Sequence, residues 1–102
     1  MIAAFSPSEN NKLPLDVNAW KLNTDNTLEF VKLHLKKGES IEVHKNNVDV
    51  YFFVQSGKAE FIVDNNTIIL EEGNLFFVEK GKDRGCRSLV DRELRLLVIK
   101  IL

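Results

Sequence analysis

Val50-Tyr51-Phe52-Phe53-Val54-Gln55-Ser56-Gly57-Lys58-Ala59-Glu60-Phe61-Ile62-Val63-Asp64-Asn65-Asn66-Thr67-Ile68-Ile69-Leu70 is the stretch whose reading decides the fold. Val50 to Val54 is a continuous apolar run, the pattern of a strand covered on both faces. Gly57 breaks it, and Ala59 to Val63 forms a second run. Asp64-Asn65-Asn66 has the composition of a hairpin turn, because short polar side chains tolerate the left-handed backbone such turns need. Thr67 to Leu70 then returns. Three short strands in so little chain, with turn residues between them, are an all-β signature.

The same signature extends in both directions. Toward the C-terminus, Gly73-Asn74 turns the chain into a strand over Leu75 to Val78. Glu79 to Gly85, rich in charge and holding two glycines, reads as a loop. Cys86 to Val90 is a possible strand, and Leu94 to Leu102 a strong final one. Toward the N-terminus, Ile41 to His44 reads as a short strand. In Leu28 to Leu35, Glu29, Val31, Leu33 and Leu35 alternate with Leu28, Phe30, Lys32 and His34, until Lys36-Lys37-Gly38 ends the run. Val17, Ala19 and Trp20 open the first strand. Residues 1–16, with Ser6, Pro7, Asn10, Asn11 and Pro14, read as an irregular arm. No segment shows ten or more residues of helical periodicity. The expectation is an arm over 1–16 and an antiparallel β-sandwich or small barrel over 17–102.

A chain of 102 residues has room for one core. Fourteen basic residues against fifteen acidic ones give a net charge of −1, which argues against nonspecific nucleic-acid binding. One cysteine, Cys86, excludes an intramolecular disulfide. No apolar run approaches the roughly 20 residues that span a bilayer. Met1 to Phe5 lacks the basic flank of a signal peptide. A cytoplasmic protein with no membrane partner is the expectation.

The glycine and histidine spacing resembles that of a small single-domain cupin. That family's first motif is glycine, five residues, His-x-His, three or four residues, glutamate, six residues, glycine. Gly38, His44 and Gly57 stand at its positions. The second motif is glycine, five residues, Pro-x-Gly, two residues, histidine, three residues, asparagine. Gly73 and Gly81 fit it, and fifteen residues separate Gly57 from Gly73, the intermotif distance of compact members. The resemblance covers Leu28 to Leu102 and implies an antiparallel jelly-roll β-barrel.

The departures bear on chemistry. Asn46 stands at the second histidine, Val50 at the glutamate and Arg84 at the second-motif histidine, with Glu79 and Ser88 at the proline and asparagine. Of the four ligands the resemblance implies, His44 alone remains. A transition metal needs several N, O or S donors converging on it. Valine donates nothing, and a guanidinium has no lone pair and repels a cation. No metal and no cofactor is the expectation.

Strand alternation puts Glu42, His44 and Asn46 on one face and Ile41 and Val43 on the other. The resemblance points the polar face into the barrel mouth; the alternative is that His44 is a relic without a role. Arg84 is either a clamp for a carboxylate or phosphate, a loop arginine, or a partner of Glu42. Cys86 is either a small buried hydrophobe or a thiol activated by Arg84 and His44. His34, between Lys32 and Lys36, reads as a surface histidine. Asp49 carries the charge of the missing glutamate but sits one residue early, which flips it to the other face. Lys80, Lys82, Arg84 and Arg87 read as a solvated loop, and the phenylalanines as core.

These readings assemble into a small-molecule binding module. Its pocket is edged by His44, Asn46, Arg84 and Glu42, walled by Val50 and Phe52, and neighboured by Cys86, and it favours an anionic ligand. The alternative is a small enzyme, either an isomerase or epimerase with His44 as base and Arg84 holding the substrate, or a metal-dependent one with His44 as a ligand among unconventional partners. Val50 to Val54, Leu75 to Val78 and Leu94 to Leu102 are apolar on both faces. A small barrel has one interior, so their outer faces need cover, and a homodimer is expected.

Overall fold

A computed structural model describes residues 1–89 and 92–102. A short 3-10 turn, Glu9–Asn11, precedes nine strands: β1 (Asn18–Thr24), β2 (Leu28–Leu35), β3 (Ser40–Lys45), β4 (Asp49–Ser56), β5 (Lys58–Val63), β6 (Asn66–Glu71), β7 (Leu75–Val78), β8 (Asp83–Ser88) and β9 (Leu94–Ile101). They form two antiparallel sheets. The first has the order β1-β2-β9-β4-β7 and the second β3-β8-β5-β6. The architecture is the expected jelly-roll barrel.

Alternation along the strands builds the interior. Val31, Leu33 and Leu35 of β2, Val50, Phe52 and Val54 of β4, and Leu94, Leu96 and Val98 of β9 are buried at every second position. The second sheet contributes Ala59, Phe61, Leu70 and Cys86. Phe61 ties the two layers together: its ring lies 4.9 Å from Phe52 and 5.3 Å from Phe76, both edge-on.

Two turns direct the chain here, one within the second sheet and one between the sheets. Asp64 and Asn65 both have positive φ (46° and 70°), as the tight β5–β6 hairpin requires. Gly57 is the corner between β4 in one sheet and β5 in the other. Its φ is +91°, and a Cβ there would lie 2.9 Å from the Leu94 Cα. Both backbone conformation and space demand glycine.

One boundary differs from the sequence reading. The strand expected over Cys86 to Val90 begins earlier, at Asp83, and Val90 lies outside the described residues. Charges and glycines make Asp83 to Gly85 look like loop, yet they pair with β3 on one side and β5 on the other. The arm is also organised. Asn11 binds the Ser6 carbonyl and accepts from the Ser8 N–H, and Leu13 N–H donates to Ala19 O at 2.8 Å.

Gly57→Ala should cost about 3 kcal/mol, from the left-handed backbone and the forced clash together. Denaturant unfolding of the variant checks this; a loss within the usual error of a surface substitution would contradict the corner's geometry.

Candidate functional site

Between the two sheets, toward one end of the barrel, lies a cavity of about 140 Å³. The strand registers sort its lining into rungs. In the second sheet His44 pairs with Arg84, and one step deeper Ile41 pairs with Cys86, which pairs with Phe61. In the first sheet Val50 pairs with Lys100, and one step deeper Phe52 pairs with Val98, which pairs with Val31. The outer rung therefore carries His44 and Arg84 on one side and Lys100 with its β2 partner Glu29 on the other, and the deeper rung is apolar. Asn46 reaches the same mouth from the β3–β4 connection.

A bulge decides which β3 residues take part. Three steps of β3, Ile41 to His44, oppose two of β8, Cys86 to Arg84. The extra residue reverses the alternation, so Ile41 and His44 both line the cavity. Glu42 does not line it, which corrects the expectation that Glu42 edges this pocket; with His44 it borders the groove beside it. Gly85 makes the bulge feasible: a Cβ there would lie 2.9 Å from the Ile41 carbonyl oxygen and 3.0 Å from the Val43 nitrogen.

Arg84 is 2% exposed. Its Nε donates to the Lys82 carbonyl at 3.2 Å and its Nη2 to the Glu79 carbonyl at 3.0 Å. It pairs with neither Glu42 nor any other carboxylate among the described residues. Burial lowers its pKa from the ordinary value, opposed by the charges of Asp49 and Asp64. The loop that Arg84 holds is fastened to β3–β4 as well. Gly81 N–H donates to Asn46 O, and Lys80 N–H donates to the Asp49 carboxylate, both at 2.8 Å. Asp49 thus serves the loop, and Val50 holds the cavity wall.

His44 is exposed at the rim, its Nδ1 3.0 Å from the Glu42 carbonyl oxygen. A carbonyl only accepts, so that contact places the proton on Nδ1 and the lone pair on Nε2. Lys100 lies 3.3 Å from Glu29, which Lys21 also approaches at 3.5 Å. Burial raises the Glu29 pKa, but Lys100 and Lys21 outweigh it and leave the net shift downward. Cys86 is buried, and desolvation pushes its thiol up to about 12. That removes the activated-thiol reading, since Arg84 directs its side chain to the loop carbonyls.

Among the lining residues that the sequence reading did not name as site residues are Lys100, Leu13 and Leu15. Lys100 follows Leu94, Leu96 and Val98 at the inward spacing, a signal present in the run. Leu13 and Leu15 of the arm also line the cavity. Leu15, Asp16 and Val17 face β3 across a groove there, at the seam between β1 and β3, which do not pair. Outside the site, His34 differs from expectation. Its side chain is 14% exposed, edge-on to Trp20 at 4.8 Å and 3.4 Å from Glu93. Burial lowers its pKa, against the pull of Glu93.

The donor set at the mouth does not fit a transition metal. It offers one imidazole, one neutral amide, a guanidinium without a lone pair and a lysine already paired with Glu29. Among the described residues no three His, Cys, Asp or Glu side chains gather to hold an ion. No described helix is long and apolar enough to cross a membrane.

Comparison with known proteins places this geometry in context. The family model described as "Cupin domain" matches residues 31–100. No curated protein matches the chain. Among solved structures, KdgF from a Halomonas species superposes with a TM-score of 0.84 at 15% identity, covering 100% of this chain and 96% of its own. An RmlC-like cupin family protein from Methanocaldococcus jannaschii gives 0.83 at 17%, covering 99% and 91%. A predicted oxalate decarboxylase from Thermotoga maritima gives 0.78 at 20%, covering 84% and 80%. At these identities the likeness is one of fold.

The state of Cys86 is directly testable. A disulfide reagent at mildly alkaline pH should leave the native thiol unmodified and titrate it once denaturant is added. Rapid labelling of the folded protein would contradict the buried, protonated thiol.

Proposed function

The chain belongs to the cupin domain family, and on that premise we propose that it is a small-molecule binding module whose barrel cavity takes an anionic ligand. One observation carries this reading. The charged or chargeable side chains lining the cavity are His44, Arg84 and Lys100, and none of its lining residues is a carboxylate. Apolar walls around cationic groups concentrate a positive field where a ligand would sit. Glu29 behind Lys100 offsets part of that charge, and Lys21 beside it restores some. Arg84 uses Nε and one N–H of Nη2 on the loop, and its five-donor fork has further N–H groups for a ligand oxygen.

A second reading, an isomerase or epimerase, draws on His44. With Nδ1 held by the Glu42 carbonyl, the Nε2 lone pair is suited to accept a proton from a bound substrate. Both readings use the same anion-holding groups and differ in whether a turnover follows.

Amide chemical shifts followed during titration with a panel of small carboxylates test the proposal. The expected result is saturable shifts clustered at His44, Asn46, Arg84 and Cys86, weakened roughly tenfold in His44→Ala combined with Lys100→Met. No response from these amides to any carboxylate would overturn it.

We further propose that the partner of the outer sheet face is a second copy of the chain. Phe30, Ile99, Tyr51 and Phe77 are register neighbours across β2, β9, β4 and β7, forming one apolar row. Leu97, Phe53 and Leu75 form the adjacent row. Leu75 is 60% and Phe77 46% exposed, while the Tyr51 and Phe77 rings meet at 4.9 Å. Four strands about 4.8 Å apart make a broad, mostly apolar face, with Lys32 beside Leu97 at its β2 end, suited to burial against itself about a twofold axis. Light scattering should return twice the chain mass at micromolar concentration, and Phe77→Glu should return one. A wild-type mass of one chain, unchanged on concentration, would overturn the dimer.

A further inference from the structure

We infer that the occupant is a monocarboxylate with a small apolar body, seated with its carboxylate at the cavity mouth and its body in the deeper rungs. The inference rests on the reading of the cavity as an anion site and names the class of anion. It comes from the axial order of the lining. The outer rung offers His44, Arg84 and Lys100 to the cavity, with Glu29 paired to Lys100 on β2 and outside the lining. The next offers Ile41, Cys86 and Phe61 on one side and Phe52, Val98 and Val31 on the other. Rungs are two residues apart, about 7 Å along the strands. A ligand that is polar throughout would leave its inner hydroxyls or carboxylates facing these side chains without partners, which costs free energy for each group.

Cys86 does not relieve this. Its thiol is protonated and is a weak donor, so the deeper rung holds no strong side-chain partner. The volume sets a size. At about 140 Å³ the cavity is close to one known to admit a benzene-sized apolar guest, so the body is on the order of six to eight heavy atoms. The arm completes the enclosure: Leu13 and Leu15 are the apolar surface presented across the seam between β1 and β3.

Titration calorimetry on the full chain with butanoate, hexanoate, octanoate, benzoate, oxalate, glucuronate and 1-hexanol tests the class. Affinity should rise about fourfold per methylene through the shorter fatty acids and stop rising once the cavity is full. Benzoate should bind at least as well as butanoate, and 1-hexanol at least tenfold more weakly than hexanoate. Leu15→Ser, at an exposed position tolerant of change, should weaken hexanoate about fivefold. Oxalate or glucuronate binding as tightly as hexanoate would overturn the apolar body while leaving the anion site standing. Equal binding of 1-hexanol and hexanoate would overturn the carboxylate head. An affinity indifferent to chain length, or to Leu15→Ser, would likewise overturn the inference.

Discussion

The close approach of β3 to Gly85 is the constraint on which the cavity depends. β3 carries one more residue than β8 across the pairing from Ile41 to His44, and that residue has to lie over β8 without a side chain beneath it. Glycine provides the space, with the Ile41 carbonyl oxygen at what would be clashing distance from any Cβ. Because the bulge consumes an odd number of residues, it resets the strand's phase. Without it, Ile41 and His44 would point to opposite sides, and the mouth would hold Glu42 in place of an apolar wall. Which side chains reach the barrel mouth therefore follows from a backbone irregularity as much as from side-chain composition.

Much of the fold was legible because burial repeats at period two. β2, β4 and β9 announce their inward residues by alternation or by doubly apolar runs, and Gly57 and the Asp64-Asn65 pair mark corners that few other residues tolerate. The spacing of Gly38, Gly57, Gly73 and Gly81 carried the topology. The site was less legible for physical reasons. Nothing in Ile41-Glu42-Val43-His44 signals a bulge, since the determinant is Gly85 on another strand. Arg84 looks like surface because a buried guanidinium is uncommon; its acceptors are carbonyls, which sequence does not reveal. His34 misleads similarly, since Trp20 and Glu93, which enclose it, come from other parts of the chain.

The central strands serve two surfaces at once. On β4, Val50 and Phe52 wall the cavity while Tyr51 and Phe53 sit in the outer apolar rows; on β9, Val98 and Lys100 face in while Leu97 and Ile99 face out. Side chains of both sets hang from the same backbone, so a displacement of either strand moves cavity wall and outer face together. Packing on the outside is thereby mechanically continuous with the dimensions inside, with no loop between them to absorb a shift.

Arg84 also has a consequence for how this barrel's sequence can change over time. Two of its donors hold the carbonyls of Glu79 and Lys82, and through them a loop already fastened to Asn46 and Asp49. A single exchange of Arg84 for histidine would leave those carbonyls without their partners and deliver one imidazole beside Asn46 and Val50, too few donors to hold a metal in return. A change toward a metal-binding barrel would thus lose stability before it gained chemistry, because the guanidinium is part of the loop's architecture.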